Sequence, residues 1–192
     1  MKNKIYDLLV EKGAIMEGHF VLTSGLHSNR YIEKFRVLED PNSLEIICKE
    51  MASKFKEIDL VVSAAIGGIL LSSGVAKEFG VKGIFCERVN GDMIFKRGFT
   101  IPENSNVLIV EDIVTTGGSI KEIIQILNDK KINIQGICSL AHRGDSIDFG
   151  YKYVPLVNIE IDTWNKNEVP EWLKKIKITK PCLLYTSDAA DE

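Results

Sequence analysis

Two adjacent carboxylates, Glu111 and Asp112, separate the apolar run Val107-Leu108-Ile109-Val110 from a turn of small residues, Thr115-Thr116-Gly117-Gly118-Ser119. The two halves of this segment ask for different chemistry. A small-residue turn that feeds a helix offers backbone N–H groups and the positive end of a helix dipole to an anion. The hydroxyls of Thr115, Thr116 and Ser119 add donors, and Gly117 and Gly118 let the main chain come close. That half suits a phosphate. The acid pair would repel the same phosphate unless it faced hydroxyl groups or a cation. Ribose hydroxyls on Glu111 and Asp112, with a 5′-phosphate in the turn, resolve the conflict. A Walker loop is excluded because no Gly-Lys-Ser/Thr follows, and no GxGxxG occurs.

Positioning these groups requires a strand before them and a helix after. Val, Ile and Leu in the run predict a strand at 107–110, buried on both faces as in a parallel sheet. Ile120, Ile123, Ile124 and Leu127 recur on one face of a helix over 118–129. The same grammar recurs along the chain. A short helix is predicted over 2–12, and extended segments over 19–23 and 30–34. Asp40-Pro41 opens a helix carrying Leu44, Ile47, Cys48, Met51, Ala52 and Phe55 inward. Strands are expected at 60–64, 83–87, 134–140 and 155–161, with helices at 67–79 and 169–175. Residues 88–105, charged and glycine-bearing, break the alternation as a long loop with a small hairpin, polar enough to gain nothing by packing. Alternating strands and helices predict an α/β fold with a mainly parallel, doubly wound sheet.

The sequence from Val107 to Ser119 resembles the 5-phosphoribosyl 1-pyrophosphate (PRPP) signature of the type I phosphoribosyltransferases. Further segments extend the likeness to the orotate phosphoribosyltransferase family. Gly18-His-Phe-Val-Leu-Thr-Ser-Gly-Leu-His-Ser-Asn-Arg-Tyr-Ile-Glu-Lys34 and Arg36-Val-Leu-Glu-Asp-Pro41 resemble its substrate hood. Ser63-Ala64-Ala65-Ile66-Gly67-Gly68 is similar to its pyrophosphate loop, and Ala141-His142-Arg143-Gly144 to its base-binding strand end. Glu87-Arg88-Val-Asn-Gly-Asp-Met-Ile-Phe-Lys96-Arg97-Gly98 resembles its mobile catalytic loop. The likeness runs from residue 1 to about 175. It implies one domain over 1–180, with a hood at 1–40 and a core at 41–180.

The resemblance implies transfer of a phosphoribosyl group from PRPP to N1 of orotate in pyrimidine synthesis. It implies PRPP binding by Glu111, Asp112, Ile113, Val114, Thr115, Thr116, Gly117, Gly118, Ser119, Arg88, Ala65 and Ile66. Orotate would meet Thr115, Arg143, Ser24, Gly25 and Lys34, and Arg88, Asp112 and Lys96 would serve catalysis. An Arg at 143 makes chemical sense, because a planar guanidinium pairs bidentately with the carboxylate that distinguishes orotate from uracil. Mg²⁺ would be held mainly by substrate oxygens, with no dedicated set of protein ligands. A homodimer is implied, with loop 88–98 reaching the neighbouring site. The chain departs from some relatives at Gly67 and Thr23, which match lysine positions, leaving Lys34 and Arg30 as candidates to compensate. Asp92 and Met93 likewise stand where more basic relatives carry cations. A purine phosphoribosyltransferase would share the PRPP motif but lack an Arg aimed at a carboxylate. A catalytically silent PRPP sensor would need a nucleic-acid-binding face or an added domain.

Composition fits one soluble domain. The 192 residues are 45% hydrophobic and 27% charged, and a chain of this length buries about 70% of its unfolded surface. A net charge of −3 gives no electrostatic case for nucleic acid. The apolar stretch 60–76 is interrupted by glycines and serines and reads as strand–turn–helix rather than a membrane span. Asp7, Glu11 and Lys12 exclude a secretory signal at the N-terminus. Cys48, Cys86, Cys138 and Cys182 show no metal-ligand spacing, and the first three are expected as buried free thiols in a reducing cytoplasm. His142 is expected to be structural, with His19 and His27 unassigned. The tail at 181–192 resembles a translated cloning adaptor and is set aside as non-native.

Overall fold

In the central strand of the protein, apolar side chains alternate between two cores. β6 (Asn106–Val114) sends Leu108 and Val110 into one and Val107 and Ile109 into the other, as the two-residue period of a strand requires. The computed structural model describes residues 3–22 and 24–179. Around β6 lies a six-stranded sheet with β3 (Leu60–Ala64), β4 (Lys82–Val89), β5 (Asp92–Phe95), β7 (Asn133–His142) and β8 (Tyr153–Asn158). Its order is β5-β4-β3-β6-β7-β8, parallel except where β5 turns back along β4.

Two crossovers set the position of the site. From β3, α4 (Gly68–Phe79) leads outward to β4. From β6, α5 (Gly118–Asp129) leads the other way to β7. α4 packs with α1 (Lys4–Glu11) and α3 (Pro41–Ala52) in one core, whereas Ile120, Ile123 and Leu127 of α5 fill the other. The strand order therefore reverses between β3 and β6. Such a switch point opens a crevice at the carboxyl ends of the strands, and both small-residue turns of the sequence lead into it.

A second, four-stranded sheet, β10-β1-β2-β9, covers that end. β1 (Ile15–Val21) and β2 (His27–Ile32) form a hairpin; β9 (Thr163–Trp164) pairs with β2 and β10 (Ile178–Thr179) with β1. His19 Nδ1 lies 3.2 Å from the Ile176 carbonyl, which can only accept, so this nitrogen bears the proton. Its Nε2 then accepts from His27 Nδ1–H at 2.7 Å. Both rings are buried, and burial is the main reason that the His27 imidazole is lowered from its ordinary value. The two histidines thus tie the hairpin to the chain before β10. Thr23, Cys182 and the tail at 181–192 lie outside the described residues.

Most expected elements are present, with informative shifts. The strand at 107–110 runs on to Val114, so both acids and two further residues belong to it. The N-terminal strands occupy 15–21 and 27–32 rather than 19–23 and 30–34. A single-turn helix, α2 (Phe35–Leu38), follows where none was expected. The strand expected at 155–161 is β8 at 153–158, and the terminal helix shrinks to α6 (Glu171–Lys174). β9 and β10 were not foreseen, because two-residue strands leave no periodicity to read. The loop after Glu87 is a hairpin that does pack: Met93 is buried, Phe95, Phe99 and Ile101 join the α5-side core, and Phe99 meets the Phe85 ring edge-on at 5.2 Å. Cys48, Cys86 and Cys138 are buried and free, and burial pushes their thiols up to about 12.

Ile123 is fully buried under the helix that begins at the Thr/Gly turn. Truncating a buried Ile to Ala costs about 2–5 kcal/mol. Urea denaturation of Ile123→Ala should show a lower midpoint with an unchanged slope. A midpoint equal to the parent's would mean that α5 is not anchored by this face.

Candidate active site

The turn after β6 is shaped by Gly117. Its φ is +71°, a left-handed conformation that favours glycine, and a Cβ there would lie 2.7 Å from the Phe149 ring. No side chain caps α5, so the N–H groups of its first turn face outward. Ile113 to Ile120, with Glu111, Arg88 and Glu122, enclose a cavity of about 230 Å³ at this point. Free N–H groups, a helix dipole and exposed threonines make this a cradle for an anion.

Glu111 and Asp112 are buried beside it, with 9% and 5% of their surfaces exposed. Glu111 Oε1 accepts the Asp112 backbone N–H at 3.0 Å. Burial first, and the neighbouring Asp112 charge second, raise the Glu111 carboxyl from 4.5 to about 8. Asp112 is held at both oxygens: Oδ1 accepts the Ile113 N–H and Oδ2 pairs with Lys34 Nζ. Gly67 sits directly against that pair, and Ala65 and Ile66 lie in the turn between β3 and α4. Ala65 N–H bonds the Cys86 carbonyl at 2.8 Å, and the Ile66 side chain projects outward.

On the far side of Thr115 and Thr116 lies a second concavity of about 1030 Å³. Ser24 and Leu26 of the hairpin turn, Arg143 and residues 158–163 line its walls. Arg143 reaches it because its backbone is fixed on both flanks. Arg143 N–H bonds the Val114 carbonyl at 2.8 Å, and buried His142 orders the turn that follows. His142 Nε2–H donates to the Asp145 carbonyl at 2.9 Å, so Nδ1 accepts from the Tyr153 hydroxyl at 3.0 Å, which in turn accepts from Ser139 at 2.8 Å. Burial pushes the Tyr153 phenol up to about 12, so it remains a donor. His142 therefore positions its neighbour. Gly25, at φ +82°, shapes the turn beside Ser24. Lys34 is not on these walls; it stands on Asp112.

The loop cations divide. Arg88, in β4, borders its own chain's anion cradle, where Nη2 bonds Glu122 of α5 at 2.6 Å and Nη1 bonds the Gly91 carbonyl. Arg97 folds back on Glu87 with two bonds of 2.8 and 3.1 Å. Lys96 is exposed beyond the hairpin. Sequence reasoning missed Glu122 as the partner of Arg88 and Lys34 as the partner of Asp112. An acid in the second turn of a helix whose N-terminus receives anions was the available signal for the first. Nothing local marked the second.

Residues 36–175 match the model of the phosphoribosyl transferase domain. The orotate phosphoribosyltransferase of Thermoanaerobacter sp. (strain X514) is 42% identical over 183 residues, spanning 94% of this chain and 96% of that protein. That of Thermotoga maritima is 37% identical, spanning 92% and 96%. The chain belongs to the orotate phosphoribosyltransferase family. Solved structures agree on the fold: orotate phosphoribosyltransferase from Aeropyrum pernix superposes with a TM-score of 0.68 at 23% identity, covering 81% of this chain and 93% of that one. An adenine phosphoribosyltransferase from Thermoanaerobacter pseudethanolicus superposes at 0.59 and 18%, covering 68% and 88%. The fold is thus common to enzymes for different bases. Membership in the orotate phosphoribosyltransferase family rests on the sequence relatives. Among the described residues no helix is long and apolar enough to cross a membrane.

The raised carboxyl of Glu111 has a sign that can be tested. Folded, it keeps its proton to about pH 8; unfolded, it loses it near 4.5. Its contribution to stability is therefore complete below the unfolded value and is lost as pH rises through the folded one. Glu111→Gln cannot titrate, so its melting temperature relative to the parent's should climb between about pH 4.5 and about pH 8. Parallel curves would show that Glu111 is ionised throughout.

Proposed function

We propose that this member of the orotate phosphoribosyltransferases joins orotate to PRPP, giving orotidine 5′-monophosphate and pyrophosphate, with the residue roles set out below. One observation carries these assignments: Thr115 and Thr116 form a wall common to the anion cradle and the Arg143 cleft. A 5′-phosphate in the first directs its ribose past Glu111 and Asp112 toward a base in the second. N1 of orotate, having lost its proton to solvent, forms a bond to C1′ as the bond from C1′ to the pyrophosphate oxygen breaks and pyrophosphate leaves with the electron pair. The reacting carbon inverts through a transition state of oxocarbenium character. No covalent nucleophile is needed, so positioning and electrostatics supply the rate.

In this reading Thr115–Ser119 hold the phosphate, and Glu111 and Asp112 receive the ribose hydroxyls. Ile66 presents backbone to the pyrophosphate beside Ala65, whose own N–H is taken by the Cys86 carbonyl, and Arg143 pairs with the orotate carboxylate, with Ser24 and Gly25 over the ring. No three His, Cys, Asp or Glu side chains converge among the described residues. Mg²⁺ would be held by PRPP itself, neutralising pyrophosphate oxygens as a hard ion that takes few protein ligands. Arg88 borders its own subunit's cradle, so reach into a neighbouring site passes to Lys96, which is exposed and free to serve the pyrophosphate of a partner in a homodimer. Buried thiols suit a cytoplasmic setting.

Pyrophosphate release with PRPP, Mg²⁺ and each of orotate, uracil, hypoxanthine, guanine and adenine tests the reading; orotate alone should react. Asp112→Asn should keep the fold and lose about ten- to hundredfold in kcat/KM for PRPP, the worth of one charge-assisted hydrogen bond, about 1.5–3 kcal/mol. Arg143→Ala should weaken orotate far more than PRPP. Equal losses for both ligands would remove Arg143 from the base site.

The trans role of Lys96 has its own test. Lys96→Ala and Asp112→Asn disable different parts of one shared site. Heterodimers, verified by tag pull-down, should each regain one intact site and approach half the parental activity. Activity that stays at the mutant level in verified heterodimers would confine Lys96 to its own subunit.

A further inference from the structure

Lys34 ends the hairpin of the small sheet, two residues past β2, yet its ammonium lies against Asp112 at the carboxyl end of the large one. The pair is mostly shielded, with 6% of the Asp112 side chain and 29% of Lys34 exposed. It occupies both faces of one problem. Asp112 Oδ1 already takes the Ile113 N–H, so Oδ2 is the oxygen left for a ligand hydroxyl, and Lys34 stands on it.

Gly67 makes the arrangement possible. Its φ of −63° and ψ of −33° suit any residue, so backbone conformation does not call for glycine there. Space does. A Cβ on Gly67 would lie 1.5 Å from Asp112 Oδ2 and 2.8 Å from Lys34 Nζ. The pyrophosphate loop is thus cut back to a bare backbone just where a lysine from another part of the chain meets the acid.

We propose that Lys34 is a positioning residue for PRPP that acts through Asp112. Its ammonium holds the carboxylate at the angle that a ribose hydroxyl meets, and it keeps its own bond to Asp112 as that hydroxyl donates to Oδ2. An ammonium on a four-carbon stem suits that role, being a compact charge whose rotatable donors can stay on Oδ2 as the hydroxyl arrives. It also offsets the repulsion between the buried Asp112 carboxylate and an anionic ligand. The small sheet thereby becomes a sensor of PRPP as well as a cover for the base.

The proposal rests on Asp112 being the ribose-binding acid, so Asp112→Asn is measured beside it. Lys34→Met should raise KM for PRPP at least tenfold while leaving KM for orotate within twofold and lowering kcat less than KM rises. Lys34→Arg should recover most of the loss. Gly67→Ala, which removes no charge, should give the same PRPP-selective signature by pushing the pair apart. In an Asp112→Asn background, Lys34→Met should add less than twofold. An unchanged KM for PRPP in both Lys34→Met and Gly67→Ala overturns the proposal, as does a larger loss for orotate than for PRPP. A full additional tenfold in the Asp112→Asn background overturns action through Asp112. Should Lys34→Met fail to fold by circular dichroism, Lys34→Arg and Gly67→Ala decide alone. If Asp112→Asn itself leaves kcat/KM for PRPP intact, the ribose assignment fails first, whatever Lys34 does.

Discussion

Two adjacent carboxylates buried at the end of a central strand are costly, because an ionised group taken from water must be paired or must give up its charge. The protein uses both remedies. Glu111 keeps a proton well above the usual carboxylate range, and Asp112 is satisfied by a backbone N–H and by Lys34. Several features elsewhere follow from this. The hairpin that carries Lys34 must lie over the strand ends, and the turn after β3 must present a residue without a side chain at Gly67. The small sheet is held in that place partly through the His19–His27 pair, which joins β1 and β2 to the chain before β10. Even α2, a single turn, serves to bring the chain from the acid pair back to Asp40, which caps α3 through Ser43 and is drawn down to about 2 by Lys12 and Ser43.

The anion cradle next to the acids poses the opposite electrostatic question, and the answer is a contact that is easily given up. Arg88 pairs with Glu122 while nearly half of its side chain is exposed. Ion pairs of that kind contribute little to stability, so the guanidinium can leave Glu122 for a phosphate at small cost. The hairpin that carries it is anchored through Phe99 and Met93 on the α5-side core, and its charges are held outward by the Arg97–Glu87 pair. A rigid hairpin that holds a releasable guanidinium fits the proposed contact with a leaving group.

Orotate and adenine phosphoribosyltransferases share this fold at comparable TM-scores, so the architecture alone does not choose a base. A fold supplies the cradle, and the chemistry is set by side chains placed at its rim. In the proposed reading that rim is the end of β7, where a buried chain of Ser139, Tyr153 and His142 fixes the turn on which Arg143 stands. None of these three needs to touch substrate to matter. Their burial keeps a guanidinium aimed from a backbone that would otherwise be an exposed loop.

Whatever depends on neighbours along the chain was already determined by the sequence: the strand from Val107, the helix face of Ile120, Ile123 and Leu127, the Asp40-Pro41 helix start, the PRPP turn and the alternating order that makes a doubly wound sheet. Such features arise from side-chain period and local backbone preference, and both are visible within a dozen residues. Tertiary structure decided the rest. It extended β6 through the acids, because parallel pairing with β7 continues as far as Val114 and His142. It recruited the two-residue strands β9 and β10 from the far end of the chain into the small sheet, through backbone hydrogen bonds that leave no pattern in sequence. Above all it brought Lys34 to Asp112, 78 positions later, and placed both over Gly67. A buried charge finds its partner through space, and no spacing along the chain records that choice.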